Sequence, residues 1–271
     1  MCVKGRTANV LVVAVCTLSL AGMASADLDI PKWLQQPDLS VTGMDVDATN
    51  TQLADDWLCV HQEPIADIHI WGSWKDDFVG TPRFLIQIWP DIPAPAGGAG
   101  YSMPDMSDEP LWEEEFFPDD YEVRLWKEHD VIQENWLTPP DDYVEGNHKL
   151  VYQYNFYPEN PYVQEGTQDA PIVYWLMVQA FIDDPAEQGA LFGWKTSLQH
   201  WNDDAVWVDA ADGPQELVYP DAWPFNEPDY PWVEPGDSID LAFALTIPEP
   251  ATMVLLGLGG VGLVLRRRRR A

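Results

Sequence analysis

The feature that most constrains this chain is a two-residue hydrophobic period, repeated in short runs and broken by turn residues. In residues 150–157, Leu150, Tyr152, Tyr154 and Phe156 fall on one face, and Gln153 and Asn155 on the other. In residues 239–246, Ile239, Leu241, Phe243 and Leu245 oppose Asp240 and Thr246. Ile68, Ile70 and Trp74 share a face around Gly72, and Phe84, Ile86 and Ile88 share another. Successive side chains of a strand point to opposite faces, so this period reads as half-buried strands. Residues 172–181 are apolar on both faces, as a central strand covered twice would be. Shorter strand candidates are 57–60, 111–117, 121–126, 192–198, 205–208 and 216–219. Turn-rich stretches at 90–100, 139–146, 158–166, 183–189, 209–214 and 220–236 separate them. No helical period of similar length competes, and the 24 prolines work against one. The expected fold is all-β, a single jelly-roll-like β-sandwich of about ten strands over residues 27–246.

The charges are unevenly placed. Lys4, Arg6 and Arg266 to Arg270 hold seven of the 14 basic residues. Between them lie seven basic side chains against all 45 acids, a net of −38. Nucleic-acid binding needs clustered Lys and Arg, so that class is excluded, as is docking on anionic lipid.

Both ends read as processing signals. Lys4 and Arg6, the apolar run 10–20 and the small residues Ala24-Ser25-Ala26 form a secretory signal peptide over residues 1–26, cut between Ala26 and Asp27. The implied partners are the secretion machinery and signal peptidase. Cys2 and Cys16 leave with that segment, so Cys59 is expected as a lone buried thiol. At the other end, the apolar run 251–265 is roughly 22 Å long as a helix, short for a bilayer core. Its flanking arginines set a membrane stop with the domain outside.

The C-terminal residues 247–271 closely resemble the PEP-CTERM sorting signal of Gram-negative bacteria. The match rests on Pro248-Glu249-Pro250, the Gly-rich apolar segment with Gly257, Gly259, Gly260 and Gly262, and the cluster Arg266, Arg267, Arg268, Arg269 and Arg270. The resemblance implies processing by an exosortase and delivery to the cell surface or an extracellular matrix. The central domain resembles an uncharacterised domain of exported proteins from planctomycete-like bacteria, through stretches such as 67–74, 172–176 and 200–207. That resemblance implies no activity and no catalytic residues.

Two kinds of candidate binding residue stand out. All 14 tryptophans fall within residues 27–246. Trp112, Trp126, Trp223 and Trp232 sit among charged or Pro-rich neighbours and are the candidates for stacking on sugar rings. Asp-Asp pairs occur six times, and hard cations want several carboxylate oxygens. The better calcium candidates are Asp45, Asp47 and Asn50 in one stretch, and Asn202, Asp203 and Asp204 in another. The first lacks the Gly and distant Glu of an EF-hand loop. The five histidines show no zinc spacing, Gly100-Tyr101-Ser102-Met103-Pro104 fails as a nucleophile elbow, and no phosphate loop is present.

The expectation is a non-enzymatic surface or matrix protein that binds extracellular polysaccharide. The alternatives are a calcium-dependent adhesion or lectin-like module, resting on the acidic turns, and a glycoside hydrolase, resting only on the abundance of carboxylates.

Overall fold

The computed structural model describes residues 31–40, 42–94, 100–130, 133–224 and 233–247. The strands in chain order are β1 (Pro31–Gln35), β2 (Met44–Asp47), β3 (Leu53–Cys59), β4 (Asp67–Trp74), β5 (Arg83–Ile92) and β6 (Met103–Pro104). They continue as β7 (Trp112–Phe116), β8 (Tyr121–Glu128), β9 (Glu134–Thr138), β10 (Asp142–His148), β11 (Leu150–Phe156) and β12 (Ile172–Phe181). The last are β13 (Phe192–Ser197), β14 (Val206–Asp209), β15 (Gly213–Glu216), β16 (Asp240–Leu241) and β17 (Phe243–Thr246).

These strands form two sheets in a sandwich-like arrangement. In the first, β4 pairs with β11 along one edge, while β17 and β13 share the other. β8 lies beyond β11 and β1 beyond β17. From β13 the sheet runs on through β2, β9 and β10, and β2–β9 is a parallel pair. The second sheet runs β15–β14–β3–β12–β5–β6, with β7 also on β5.

The period read from the sequence sets the core. Ile68, Ile70 and Trp74 of β4, with Tyr154 and Phe156 of β11, face Phe84, Ile86 and Ile88 of β5. Phe84 packs edge-on against Tyr121, Tyr154, Phe156 and Phe192, with ring centroids 5.0–5.3 Å apart. β12 is buried on both faces as expected. Leu176 and Val178 enter the main core, and Trp175 and Met177 pack outside with Trp89 and Val206.

Several expectations need correction. The strand expected at 216–219 lies instead at Gly213–Glu216, where it makes a hairpin with β14. Part of the turn expected at 139–146 is β10, which pairs with β9 across an irregular register. Gly146, at φ 61°, sits within that irregularity and disguised the strand as a turn. The acidic stretch at 44–47 is the buried strand β2. Seventeen strands are present among the described residues, more than the ten expected, because short edge strands such as β6 and β16 leave no periodic signal. The expected C-terminal membrane helix lies outside the described residues.

Candidate functional site

The outward face of β4 and its neighbours forms a groove. With Ile68, Ile70 and Trp74 turned inward, His69 and Trp71 must point out. The cross-strand partner of Trp71 is Gln153 on β11, and the partner of Gln153 on β8 is Arg124. A register shift between Val151 and Tyr152 makes Trp126 the extra residue of β8. Its ring meets Trp71 edge-on, with centroids 5.5 Å apart, and the Arg124 guanidinium lies 5.1 Å from its centre. Ala244 and Ala242, packed against Trp71, keep the β17 side low. Leu34, Gln36 and Leu39 form the far wall, and the groove encloses about 390 Å³.

The floor is polar and hydrogen-bonded. Thr246 Oγ1 donates to Asp67 Oδ1 at 2.5 Å, and Asp67 Oδ2 lies 3.6 Å from His69 Nε2. His69 Nδ1 donates to Asn155 Oδ1 at 2.6 Å, which fixes the imidazole across three strands. Beside this chain, Trp71 Nε1 and Gln153 Oε1 are buried and make no hydrogen bond. A buried donor and a buried acceptor, on directly paired residues, thus line the groove. Trp126 is 41 % exposed.

A second cluster is fully enclosed. Lys195 on β13 lies directly opposite Asp45 on β2. Its Nζ is 3.2 Å from Asp45 Oδ2 and also touches Glu134 Oε2 of β9. His148 Nε2 donates to Asp45 Oδ2 at 2.8 Å, and His129 Nε2 is 2.6 Å from Glu134 Oε1. Asp45, Glu134 and His148 are close enough together to hold one metal ion, but Lys195 Nζ touches both carboxyl groups and supplies the positive charge itself. Burial pushes the Lys195 ammonium below the ordinary lysine range, with Asp45 opposing.

The third cluster is acidic. Asp55, Asp56 and Asp240 are buried, and among the described residues no Lys or Arg contributes to their electrostatics. Asp55 Oδ2 accepts from the backbone N–H of Leu241 at 2.6 Å and from Gln35 Nε2 at 3.1 Å. Asp56 Oδ2 accepts from Asn202 Nδ2 at 2.5 Å, and Asp56 Oδ1 has no partner. Burial pushes Asp56 up to about 9, with Asp240, Asp91 and Asp203 adding to the rise against the Asn202 hydrogen bond. Burial, then Asp240 and Asp56, push Asp55 well above the carboxylate range. Glu216 rises to about 7 through its hydrogen bond with Asp204 and then through burial.

Residues 31–246 match the family described as Domain of unknown function (DUF7901). The chain belongs to this family. Residues 246–270 match the PEP-CTERM protein-sorting motif. That motif makes this an exported protein, held at the membrane by its C-terminus before exosortase processing. No curated protein and no solved structure matches the chain.

The DUF7901 domain places the sequence-predicted residues unequally. Trp126 borders the groove. Trp112 is half-buried on β7, its Nε1 donating to the Asn160 carbonyl at 2.8 Å, in a separate acidic cleft with Tyr157 and Glu159. Trp223 is a correction. It is 3 % exposed and packs edge-on against Tyr143 and Tyr219, so neither of its ring faces is open for stacking. The expected Asp45–Asp47–Asn50 cation loop is also corrected. Asp45 turns to Lys195 and His148, while Asp47 binds the backbone N–H groups of Thr49 and Asn50 and the Asn50 side chain. Asn202 and Asp203 do converge, on Asp56 and on the Ser102 backbone N–H respectively, and Asp204 faces Glu216. Trp232, Ala26, Asp27, Pro248, Glu249, Pro250 and Arg266 to Arg270 lie outside the described residues. Sequence reasoning missed Trp71, Gln153 and Arg124. The alternation of β4 was the available signal, since inward Ile68 and Ile70 send Trp71 outward.

Proposed function

We propose that the DUF7901 domain is a non-enzymatic module that binds extracellular polysaccharide in the Trp71–Trp126 groove. One observation carries this reading: the unpartnered Trp71 Nε1 and Gln153 Oε1 beside the exposed ring of Trp126. A hydroxyl group both accepts from an N–H and donates to a carbonyl, so sugar hydroxyls match this donor and acceptor in kind. The C–H face of the same sugar packs on the Trp126 ring. The carboxyl described in the groove floor, that of Asp67, is already held by Thr246 Oγ1, whereas hydrolysis needs two facing carboxyls. The export signal supports a surface or matrix destination, where such a polymer is met.

A glycan array probed with the full chain tests the reading. Binding to one class of polysaccharide is expected, and Trp126→Ala should weaken it about tenfold or more, ~1.4 kcal/mol. Array binding that Trp126→Ala leaves unchanged would move the site elsewhere on the domain.

A further inference from the structure

We propose that Lys195 and Asp45 join in an intramolecular amide bond, with Glu134 as the group that carries the proton between them. The two residues face each other across the antiparallel pair β13–β2. Lys195 Nζ lies 3.2 Å from Asp45 Oδ2, one bond away from the carboxyl carbon that the amine would attack. The side chains of Lys195, Asp45 and Glu134 are wholly shielded from solvent. Glu134 touches the same nitrogen from the neighbouring strand β9.

Four features of the site bear on the reaction. Fixed strands hold amine and carboxyl together, which converts a bimolecular condensation into an intramolecular one. Burial disfavours the ammonium and so favours the nucleophilic free amine, while Lys195 and His148 hold the Asp45 carboxyl below its usual range against its own burial and oppose the first proton transfer. The low-dielectric surroundings also penalise the ion pair that an amide would replace. His148 Nε2, 2.8 Å from Asp45 Oδ2, is placed to donate to the oxygen that leaves as water.

The step balances without any co-reactant. A proton moves from the Lys195 ammonium to the Asp45 carboxylate, leaving an amine and a carboxylic acid. Nζ then attacks Cγ of Asp45 and a C–N bond forms. Glu134 takes one proton from the nitrogen and passes it to the Asp45 hydroxyl. The C–OH bond breaks and water leaves, with nothing oxidised or reduced. Lys195 and Asp45 lie 150 positions apart, so the bond would staple most of the domain into one covalent ring.

Peptide mapping of the full chain by mass spectrometry tests the proposal. The expected result is a branched peptide joining the segments around residues 45 and 195, about 18 Da lighter than their sum. In Glu134→Gln the two segments should appear separately at unmodified mass, in protein whose near-ultraviolet circular dichroism matches wild type. Should that variant fail to fold, the wild-type map alone decides. Separate, unmodified segments from folded wild-type protein would overturn the proposal. A branched peptide in folded Glu134→Gln would overturn the role of Glu134.

Discussion

Replacing Asp56 with asparagine should stabilise the domain at neutral pH, against the usual cost of altering a buried polar residue. Asp56 is fully buried, and its pKa is pushed up to about 9 from an ordinary value near 3.9. The folded state therefore keeps a proton that the unfolded chain has already released. Between pH ~4 and ~9 the unfolded state binds fewer protons, so stability falls as pH rises through that window. Below pH ~4 both states are protonated and the penalty vanishes. At about 1.36 kcal/mol per pH unit, the roughly three units from 3.9 to pH 7 amount to an upper bound of ~4 kcal/mol. Asparagine imitates the neutral acid. Its Oδ1 accepts from Asn202 Nδ2 as Asp56 Oδ2 does, and it cannot ionise. Asp56→Asn should therefore gain roughly 2–4 kcal/mol at pH 7 and almost nothing at pH 4. Urea unfolding followed by tryptophan fluorescence at pH 4, 5, 6, 7 and 8 measures both. The wild-type curve should fall with pH, and the variant should fall less by the slope of one proton. A variant less stable than wild type at pH 7, with an unchanged slope, would refute the reasoning.

Two further outcomes are expected. In Gly72→Ala the added Cβ would sit 2.3 Å from the Gly193 carbonyl oxygen and 2.5 Å from the Phe192 ring, so overpacking should cost about 3 kcal/mol or more in the same unfolding assay. In a host with an exosortase, the mature C-terminus should fall near residue 250, and C-terminal peptide analysis should recover no fragment carrying Arg266 to Arg270.

How far the sequence was legible depended on whether the decisive pattern was local. The alternation of Ile68, Ile70 and Trp74, or of Tyr154 and Phe156, lies within one strand, and the observed core follows it. The double-faced β12 was likewise readable within a single run of ten residues. Trp126 was readable because its charged neighbours marked an exposed strand. Trp223 has Pro-rich neighbours too, yet Tyr143 and Tyr219 cover it, and nothing in its own segment announces the remote Tyr143. The Trp71–Gln153–Arg124 row depends on register between strands far apart in the chain, which turn lengths do not fix here. The Lys195 cluster was hidden for the same reason, since Asp45 is 150 positions away. One local sign of it existed. Lys195 directly follows the apolar run Phe192-Gly193-Trp194 in a wholly buried strand, and a cation in a buried strand requires a buried carboxylate.

Affinity electrophoresis in gels containing neutral soluble polysaccharides of different linkage tests the central claim most directly. The account expects at least one polymer to retard the wild-type protein. In that gel Trp126→Ala should run as it does without polymer, and Asp56→Asn, on β3 of the other sheet, should be retarded like wild type. Wild-type protein that no polymer retards, or equal retardation of wild type and Trp126→Ala, would contradict it.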